Sequence, residues 1–190
     1  MLINSIMRIN EILQETTKLN ELTRPADQEA AEEKLLAAGY EKVGTGTWAT
    51  VFSKPGDSMV VKLFHSADQA YTDFVKLAMQ HQDNPHFPKF RGKMMRVTDE
   101  YNAIRMERLE PNTSRELAEL LEDYLYFLSG EGQSYERTRT WALFSKNLKL
   151  NNACKLIAAT LLKTHYLDLQ PTNIMMRGKT PVFLDPVASA

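Results

Sequence analysis

The sequence predicts an α+β fold with two lobes. A small antiparallel sheet with one helix is followed by a reduced, mostly helical lobe and preceded by N-terminal helices. Strand–turn–strand patterns recur between residues 40 and 109, and apolar residues recur at helical spacing after Ser114. Hydrophobic residues make up 43% of the 190 residues, which is enough for one sizeable core or two small ones. The predicted divisions are residues 1–39 for the helical extension, 40–110 for the sheet lobe and 111–190 for the helical lobe.

The charge and cysteine content exclude several classes of protein. A formal net charge of −1 predicts no direct nucleic-acid or membrane-surface binding, because such proteins usually carry a basic excess. Cys154 is the only cysteine, so neither an intrachain disulfide nor a thiolate metal cluster can form. No apolar run approaches the length of a membrane span, and residues 1–22 lack a continuous signal-peptide core. We therefore expect a cytoplasmic protein.

Two helices are predicted before the sheet. Residues 2–22 carry aliphatic side chains at nearly helical spacing, and a second helix, acidic in its first turns, ends before Gly39. We interpret the first helix as a brace for the sheet lobe. The alternative is a partner-binding helix, which would make the chain an interaction protein first.

A hairpin with glycines at its tip begins the sheet lobe. Residues 40–64 predict strands joined by turns, with Gly44 and Gly46 in the first turn. Such glycines let backbone N–H groups approach phosphates, although two glycines in a hairpin can also be plain turn residues. Lys62 follows in an otherwise apolar strand, where a buried ammonium needs an anionic partner; an outward-facing lysine on an edge strand is the alternative.

One helix is predicted within the sheet lobe. Ser66 is expected to cap it, and it extends over residues 67–80. Its apolar face carries Ala70, Phe74, Leu77 and Ala78. Asp73 on this helix is the best candidate for the partner of Lys62, with Asp68 or an unpaired Asp73 as the alternatives.

Two strands and a hinge follow this helix. Residues 87–97 and 101–109 predict the strands, which a polar turn joins, and residues 111–113 predict the hinge. A helix then begins at Ser114. We interpret its acidic residues as a solvated face rather than a docking site. These residues are Glu116, Glu119, Glu122 and Asp123.

A polar loop over residues 129–140 separates this helix from a second one, predicted over residues 148–162. The predicted core positions of the second helix are Leu148, Ala153, Leu156, Ile157 and Leu161. Cys154 lies among them and is expected to be a small core residue rather than a reactive thiol.

Three oxygen-bearing side chains follow the last helix. Asp168 precedes Asn173 by five residues, and an apolar run, a turn at Gly178 and a second apolar run lead to Asp185. This frame predicts strand, turn and strand, and it brings two carboxylates and an amide to one place. Oxygen ligands of this kind suit Mg²⁺, particularly when the ion arrives with the phosphates of a nucleotide.

The complete order resembles the protein-kinase-like fold over roughly residues 40–186: glycine hairpin, strand lysine, helix, strands, hinge, helices, Asp-x4-Asn loop and strand-end Asp. The resemblance implies that ATP and Mg²⁺ bind and that Asp168 and Lys62 are the catalytic residues. It also implies that Asn173 and Asp185 hold the metal and the nucleotide. The remaining nucleotide-binding residues would be Gly44, Gly46, Ala49, Val51, Met106, Glu107 and Leu109.

A closer similarity is to the small early serine/threonine kinases of lytic podophages. It rests on residues 70–72, 154–157, 173–175 and 185–187. It implies phosphorylation of serine or threonine hydroxyls on host proteins in the host cytoplasm.

The sequence departs from the kinase pattern at several positions. The helix over residues 67–80 has no glutamate, so the usual ion pair with Lys62 must use Asp73 or be absent. Leu167 replaces the arginine found in many kinases, and Gln170 replaces a lysine or histidine. His165 is one position away from the usual histidine of the family, and we expect it to be structural.

Two other functions share these motifs. A small-molecule phosphotransferase of the antibiotic-kinase type would use the same ATP site. A pseudokinase-like binding module would fit the missing helix glutamate, although Lys62, Asp168, Asn173 and Asp185 are all present.

Overall fold

The computed structural model describes residues 28–130, 144 and 146–189. Contacts divide the chain into two compact units, each built from separate stretches of sequence. The first contains the described residues up to Ala67 together with Phe90–Glu107; the second contains Asp68–Lys89 and the described residues from Arg108 onward. The helix predicted over residues 2–22 and most of the polar loop at 129–140 lie outside the described residues. The predicted three-part division stays a prediction.

The first unit is built on a five-stranded antiparallel sheet, which confirms the α+β prediction. The strand order is β1-β2-β3-β5-β4, so β3 is central and β4 lies at an edge. Turns at residues 54–57 and 97–100 connect β2 to β3 and β4 to β5. The strands are β1 (Glu41–Thr45), β2 (Ala49–Ser53), β3 (Met59–His65), β4 (Phe90–Arg96) and β5 (Tyr101–Glu107).

Helix α1 (Gln28–Ala37) covers one face of this sheet and stops as predicted, since Gly39 adopts a φ of 83°. Apolar residues of the helix and of that face form one buried cluster. Its members are Ala31, Leu35, Tyr40, Phe52, Val61, Leu63, Val97 and Ala103. A polar network reinforces the contact, because Glu32 accepts hydrogen bonds from Thr50 and Lys42.

The second unit begins with helix α2 (Gln69–Gln80), whose predicted apolar face is buried. The predicted cap is wrong: the side chain of Asp68, not that of Ser66, accepts the hydrogen bond from the N–H of Tyr71 at 3.0 Å. Ser66 is unavailable for this role, because its hydroxyl donates to the carbonyl of Asp99. The helix therefore begins two residues later than predicted.

Helices α3 (Arg115–Ser129) and α4 (Leu148–Thr160) pack against each other. Ser114 caps α3 as predicted, and Asn147 caps α4. Leu148 was predicted to be a core residue but is 77% exposed, because it lies about two residues off the stripe that starts at Leu150. The other buried positions of α4 are Asn151, Ala153, Cys154, Ile157 and Ala158. Burial raises the pKa of the Cys154 thiol, as expected for a core cysteine.

Two short antiparallel ladders complete the second unit. One has the order β6-β8-β9, and the other pairs β7 with β10. A 3₁₀ helix, Pro171–Asn173, immediately precedes β8. The strands are β6 (Glu110–Pro111), β7 (His165–Leu167), β8 (Ile174–Arg177), β9 (Thr180–Phe183) and β10 (Val187–Ser189).

The segment after α2 is tied to this hairpin region. The guanidinium of Arg177 donates to the carbonyls of Pro85 and Phe87, at 2.6 and 3.1 Å. The ring of His86 bonds through Nδ1 to the carbonyl of Pro181 at 2.8 Å. Every helix in the described part of the chain is too short or too polar to span a bilayer.

Candidate functional site

The β8–β9 ladder brings Asn173 and Asp185 together. Its last pair joins Ile174 to Phe183, so the residues just beyond the pair leave the ladder side by side. The carbonyl of Asn173 accepts hydrogen bonds from the N–H groups of Leu184 and Asp185, at 2.8 and 3.4 Å. Both side chains therefore start from one backbone junction.

The β7–β10 ladder brings Asp168 to the same junction. Leu167 pairs with Val187, and immediately beyond this pair the N–H of Asp168 donates to the carbonyl of Pro186 at 3.0 Å. Asp168 is thereby bonded to the residue after Asp185. The structure brings all three predicted side-chain positions into one part of the second unit.

The Asn173 side chain connects the catalytic candidate to the metal candidate. Its amide nitrogen donates to the carbonyl of Asp168 at 2.7 Å and to the carboxylate Oδ2 of Asp168 at 3.3 Å. The amide oxygen is therefore the atom left to act as a metal ligand.

The oxygen set suits Mg²⁺ that arrives with a nucleotide. Among the described residues, no group of three or more His, Cys, Asp or Glu side chains could hold a metal by itself. Mg²⁺ commonly uses one or two carboxylates and completes its shell with phosphates and water. Asp185 and the amide oxygen of Asn173 fit that requirement.

Helix α2 lies close to Asp185. Tyr71 is fully buried, and burial, together with the charges of Asp185 and Asp68, raises the pKa of its phenol well above the usual value. A neutral phenol thus neighbours the predicted metal ligand. Nothing in the sequence pattern indicated this proximity.

The acidic face of α3 extends to Asp168. Glu116 and Glu119 are exposed, as a solvated face requires, but Glu122 and Asp123 are half-buried. Burial raises the pKa of the Glu122 carboxyl, and the charges of Asp123, Asp168 and Glu119 raise it further. Because α3 also contacts the 3₁₀ helix after Asp168, negative charge accumulates beside the catalytic candidate.

In the first unit, Lys62 lies on the sheet face opposite α1. Val61 and Leu63 belong to the buried cluster under the helix, and alternate residues of a strand point to opposite faces. Lys62 pairs with Val51 on β2 and with Ile104 on β5, and it is 7% exposed. The predicted outward-facing alternative does not apply, since β3 is central and the lysine is buried.

Several predicted nucleotide-binding residues share the sheet face of Lys62. Ala49 and Val51 lie on this face, because they alternate along β2 with residues that face α1. Met106 also lies on it, because it pairs with Val60, which is two residues from Lys62 on β3. Glu107 pairs with Met59 and so directs its side chain to the α1 face. Any contact of Glu107 with a ligand on the Lys62 face must therefore use its backbone. Leu109 belongs to the second unit, immediately before β6.

Gly44 and Gly46 are not required by the folded chain itself. Neither adopts a positive φ. A Cβ on Gly44 would lie 3.9 Å from Cβ of Val51, and one on Gly46 would lie 3.8 Å from the carbonyl oxygen of Ala49. These are ordinary contacts, so the turn does not explain the two glycines.

Asp73 has partners that the sequence did not predict. Its Oδ1 accepts hydrogen bonds from Gln69 and Lys76, and its Oδ2 lies 3.3 Å from Nε2 of His165. The pairing of Asp73 with Lys62 stays a prediction. His165 was predicted to be structural, and it makes a contact of that kind. Its partner is Asp73, the residue that was predicted to pair with Lys62.

The architecture combines helices with a five-stranded antiparallel sheet. Neither a protein-family model nor a curated protein matches the sequence. Among solved structures, the crystal structure of Rad53 1-466 in complex with AMP-PNP, a protein kinase, is similar at 16% identity and a TM-score of 0.42. The match covers 84% of this chain and 42% of that one, so this chain spans less than half the length of that structure.

Proposed function

We propose that this protein is an ATP- and Mg²⁺-dependent phosphotransferase that phosphorylates serine or threonine hydroxyls of proteins. The observation that carries the proposal is the junction of Asp168, Asn173 and Asp185. There the side-chain amide of Asn173 donates to the carboxylate of Asp168, and the backbone carbonyl of Asn173 accepts a hydrogen bond from the N–H of Asp185. Host proteins are the substrates that the similarity to podophage kinases implies.

The reaction transfers the γ-phosphoryl group of ATP. The acceptor oxygen forms a bond to the γ-phosphorus, the bond from that phosphorus to the β–γ bridging oxygen breaks, and ADP leaves. Such a transfer depends mainly on positioning and charge neutralisation. Mg²⁺, when bound by Asn173 and Asp185, would neutralise charge on the phosphates.

Asp168 would receive the proton of the acceptor hydroxyl. Its carboxylate is held by Asn173, and its backbone is held by Pro186, so the group is oriented before substrate arrives. Preorganisation of this kind reduces the reorganisation needed during the reaction.

Lys62 and the glycine hairpin would bind the phosphates. Lys62 is 7% exposed, and its register partners are Val51 and Ile104 on the sheet face opposite α1; its ammonium would neutralise charge on the phosphates. Gly44 and Gly46 would let backbone N–H groups approach phosphate oxygens without side-chain obstruction.

A small-molecule phosphotransferase is the second candidate. The negative charge of Glu122 and Asp123 beside Asp168 favours a cationic acceptor, such as an aminoglycoside. Coupled measurement of ADP release with a panel of aminoglycosides, in the absence of protein substrates, separates this candidate from the protein kinase.

The proposal is tested by incubating the protein with labelled ATP, Mg²⁺ and a bacterial lysate and then mapping the labelled residues. Asp168→Ala is expected to lower the transfer rate by about 10²- to 10⁴-fold while nucleotide binding persists. Asp185→Ala should instead weaken Mg²⁺-dependent nucleotide binding, as measured by calorimetry. Asp83→Ala is a matched control, since this aspartate side chain is 80% exposed. Parental transfer by the Asp168→Ala protein would reject the assignment.

A further inference from the structure

We infer that Asp73 and His165 form a positioning pair through which helix α2 holds the strand that leads to Asp168. The inference rests on the proposed function, because it assigns the pair a role in the same phosphoryl transfer. Neither residue would touch the substrate. The pair would act through the placement of Asp168.

Among the described residues, this contact is the one hydrogen bond of the buried His165 ring. The His165 side chain is 7% exposed, and its Nε2 lies 3.3 Å from Oδ2 of Asp73. Nδ1 is buried without a hydrogen-bond partner among the described residues. The orientation of the imidazole in this part of the chain therefore depends on Asp73.

The Asp73 carboxylate is itself fixed in place. Gln69 and Lys76 donate to its Oδ1, at 2.8 and 2.9 Å, which leaves Oδ2 for His165. Burial alone would raise the pKa of the Asp73 carboxyl, but hydrogen bonds from Lys76, His165 and Gln69 lower it below the usual value. A charged carboxylate accepts only, so Nε2 of His165 must carry the hydrogen.

The same helix also holds the opposite strand of the β7–β10 ladder. The N–H of Ala70 donates to the hydroxyl of Ser189 at 3.4 Å. Ser189 is the register partner of His165, so α2 contacts both strands at one position of the ladder. At the other end of this ladder, Leu167 pairs with Val187, beside Asp168 and Pro186.

Through this ladder, the position of α2 affects the position of Asp168. His165 precedes Asp168 by three residues, which is about 10 Å along a strand. A misplacement of about 1 Å at a reacting group can reduce a rate about 100-fold. Loosening the ladder at His165 should therefore lower kcat and leave nucleotide affinity unchanged.

The experiment measures kcat and the KM for ATP in four variants and a control, and it repeats Asp73→Ala in a Lys62→Met background. Asp73→Ala and His165→Leu each remove the contact, and the leucine preserves most of the buried volume. Their double variant tests whether the residues act as a unit. Asp73→Asn retains an oxygen that can accept from Nε2. Asp83→Ala is the matched control, because it removes an aspartate whose side chain is 80% exposed and leaves the contact between Asp73 and His165 intact. Thermal unfolding confirms that each variant is folded at the assay temperature.

We expect Asp73→Ala and His165→Leu each to lower kcat by about 10- to 100-fold, with a change in the KM for ATP of less than about 2-fold. The double variant should be no more than about 2-fold below the worse single variant, because both substitutions break one contact. Asp73→Asn and Asp83→Ala should retain most of the parental kcat.

Other outcomes overturn the inference in distinguishable ways. Multiplicative losses in the double variant would show that Asp73 and His165 act separately. A raised KM for ATP in Asp73→Ala, non-additive with Lys62→Met, would show that Asp73 acts through Lys62. Parental kcat in the single variants would remove the positioning role and leave the proposed function intact. An inactive parental protein would overturn the proposed function itself and the pair with it.

Discussion

Alanine at Gly44 and Gly46 separates a ligand-binding role of the hairpin from a role in the turn. Neither glycine has a positive φ, and an added Cβ meets its nearest atom at 3.9 or 3.8 Å. Replacing glycine by alanine at a compatible position stabilises by about 0.4–1 kcal/mol through the unfolded state. For a chain of this size, the expected rise in Tm is about 1–4 °C.

The same substitutions should weaken ATP binding. Gly44 lies within β1, not in the turn as predicted, and Gly46 lies in the turn. A methyl group at either position would separate the backbone N–H groups from the phosphate oxygens. Loss of one charge-assisted hydrogen bond, worth about 1.5–3 kcal/mol, corresponds to at least about a 10-fold loss of affinity. The measurements are differential scanning fluorimetry without nucleotide and calorimetry with Mg²⁺ and a non-hydrolysable ATP analogue.

Gly56→Ala provides the matched control. Gly56 lies in the turn between β2 and β3 with a φ of 74°, where alanine is strained by about 1–2 kcal/mol. Its Tm should fall, and the folded protein should bind the nucleotide as the parent does. If Gly44→Ala and Gly46→Ala destabilise the protein as Gly56→Ala does, the glycines serve the turn. Unchanged affinity would refute the phosphate-binding role.

Two further substitutions test the surroundings of Asp168. Asn173→Ala should destabilise the protein by about 1–3 kcal/mol through two lost hydrogen bonds, and Asn173→Asp should cost more at pH 7 because it faces a carboxylate oxygen at 3.3 Å. Urea unfolding measures the free energy of unfolding of both variants. Added Mg²⁺ should reduce the difference between the Asn173→Asp protein and the parent. An Asn173→Asp protein as stable as the parent would contradict the contact between residue 173 and the Asp168 carboxylate. Glu122→Gln should raise Tm by about 1–3 °C at pH 7. The raised pKa of Glu122 penalises the folded state only where the carboxyl is charged, so the gain should vanish in acid; equal Tm values at pH 7 would show that the neighbouring charges have no effect.

Local patterns predicted most of the fold because they depend on neighbours in the chain. The apolar residues around Lys62 predicted a buried lysine, with an outward-facing lysine on an edge strand as the alternative, and the central position of β3 in the sheet decides between them. The proximity of Asn173 and Asp185 could also be predicted from the sequence, because a hairpin brings the residues at its two ends together. Both features arise within about 25 residues of sequence.

The contacts that the sequence did not reveal depend on distant register. Asp73 and His165 are separated by 92 positions, and Ala70 and Ser189 by 119. No local period relates such residues, so Asp73 was predicted to pair with Lys62, and His165 was predicted to be structural without a named partner. The prediction for Leu148 was wrong for a different reason. It considered the hydrophobicity of the residue but not the side of the helix on which it lies, and the buried side begins at Leu150.

The interleaving of the two units has a consequence for synthesis. The central strand β3 needs β5 as a neighbour, yet β5 is made only after the chain has produced α2 and β4. A nascent or truncated chain ending near Ala67 would expose the apolar edge of β3. An exposed edge of this kind can pair with another copy of the chain, so such a fragment is expected to self-associate. Neither unit can be excised as one continuous fragment, and the first becomes complete only when Glu107 has left the ribosome.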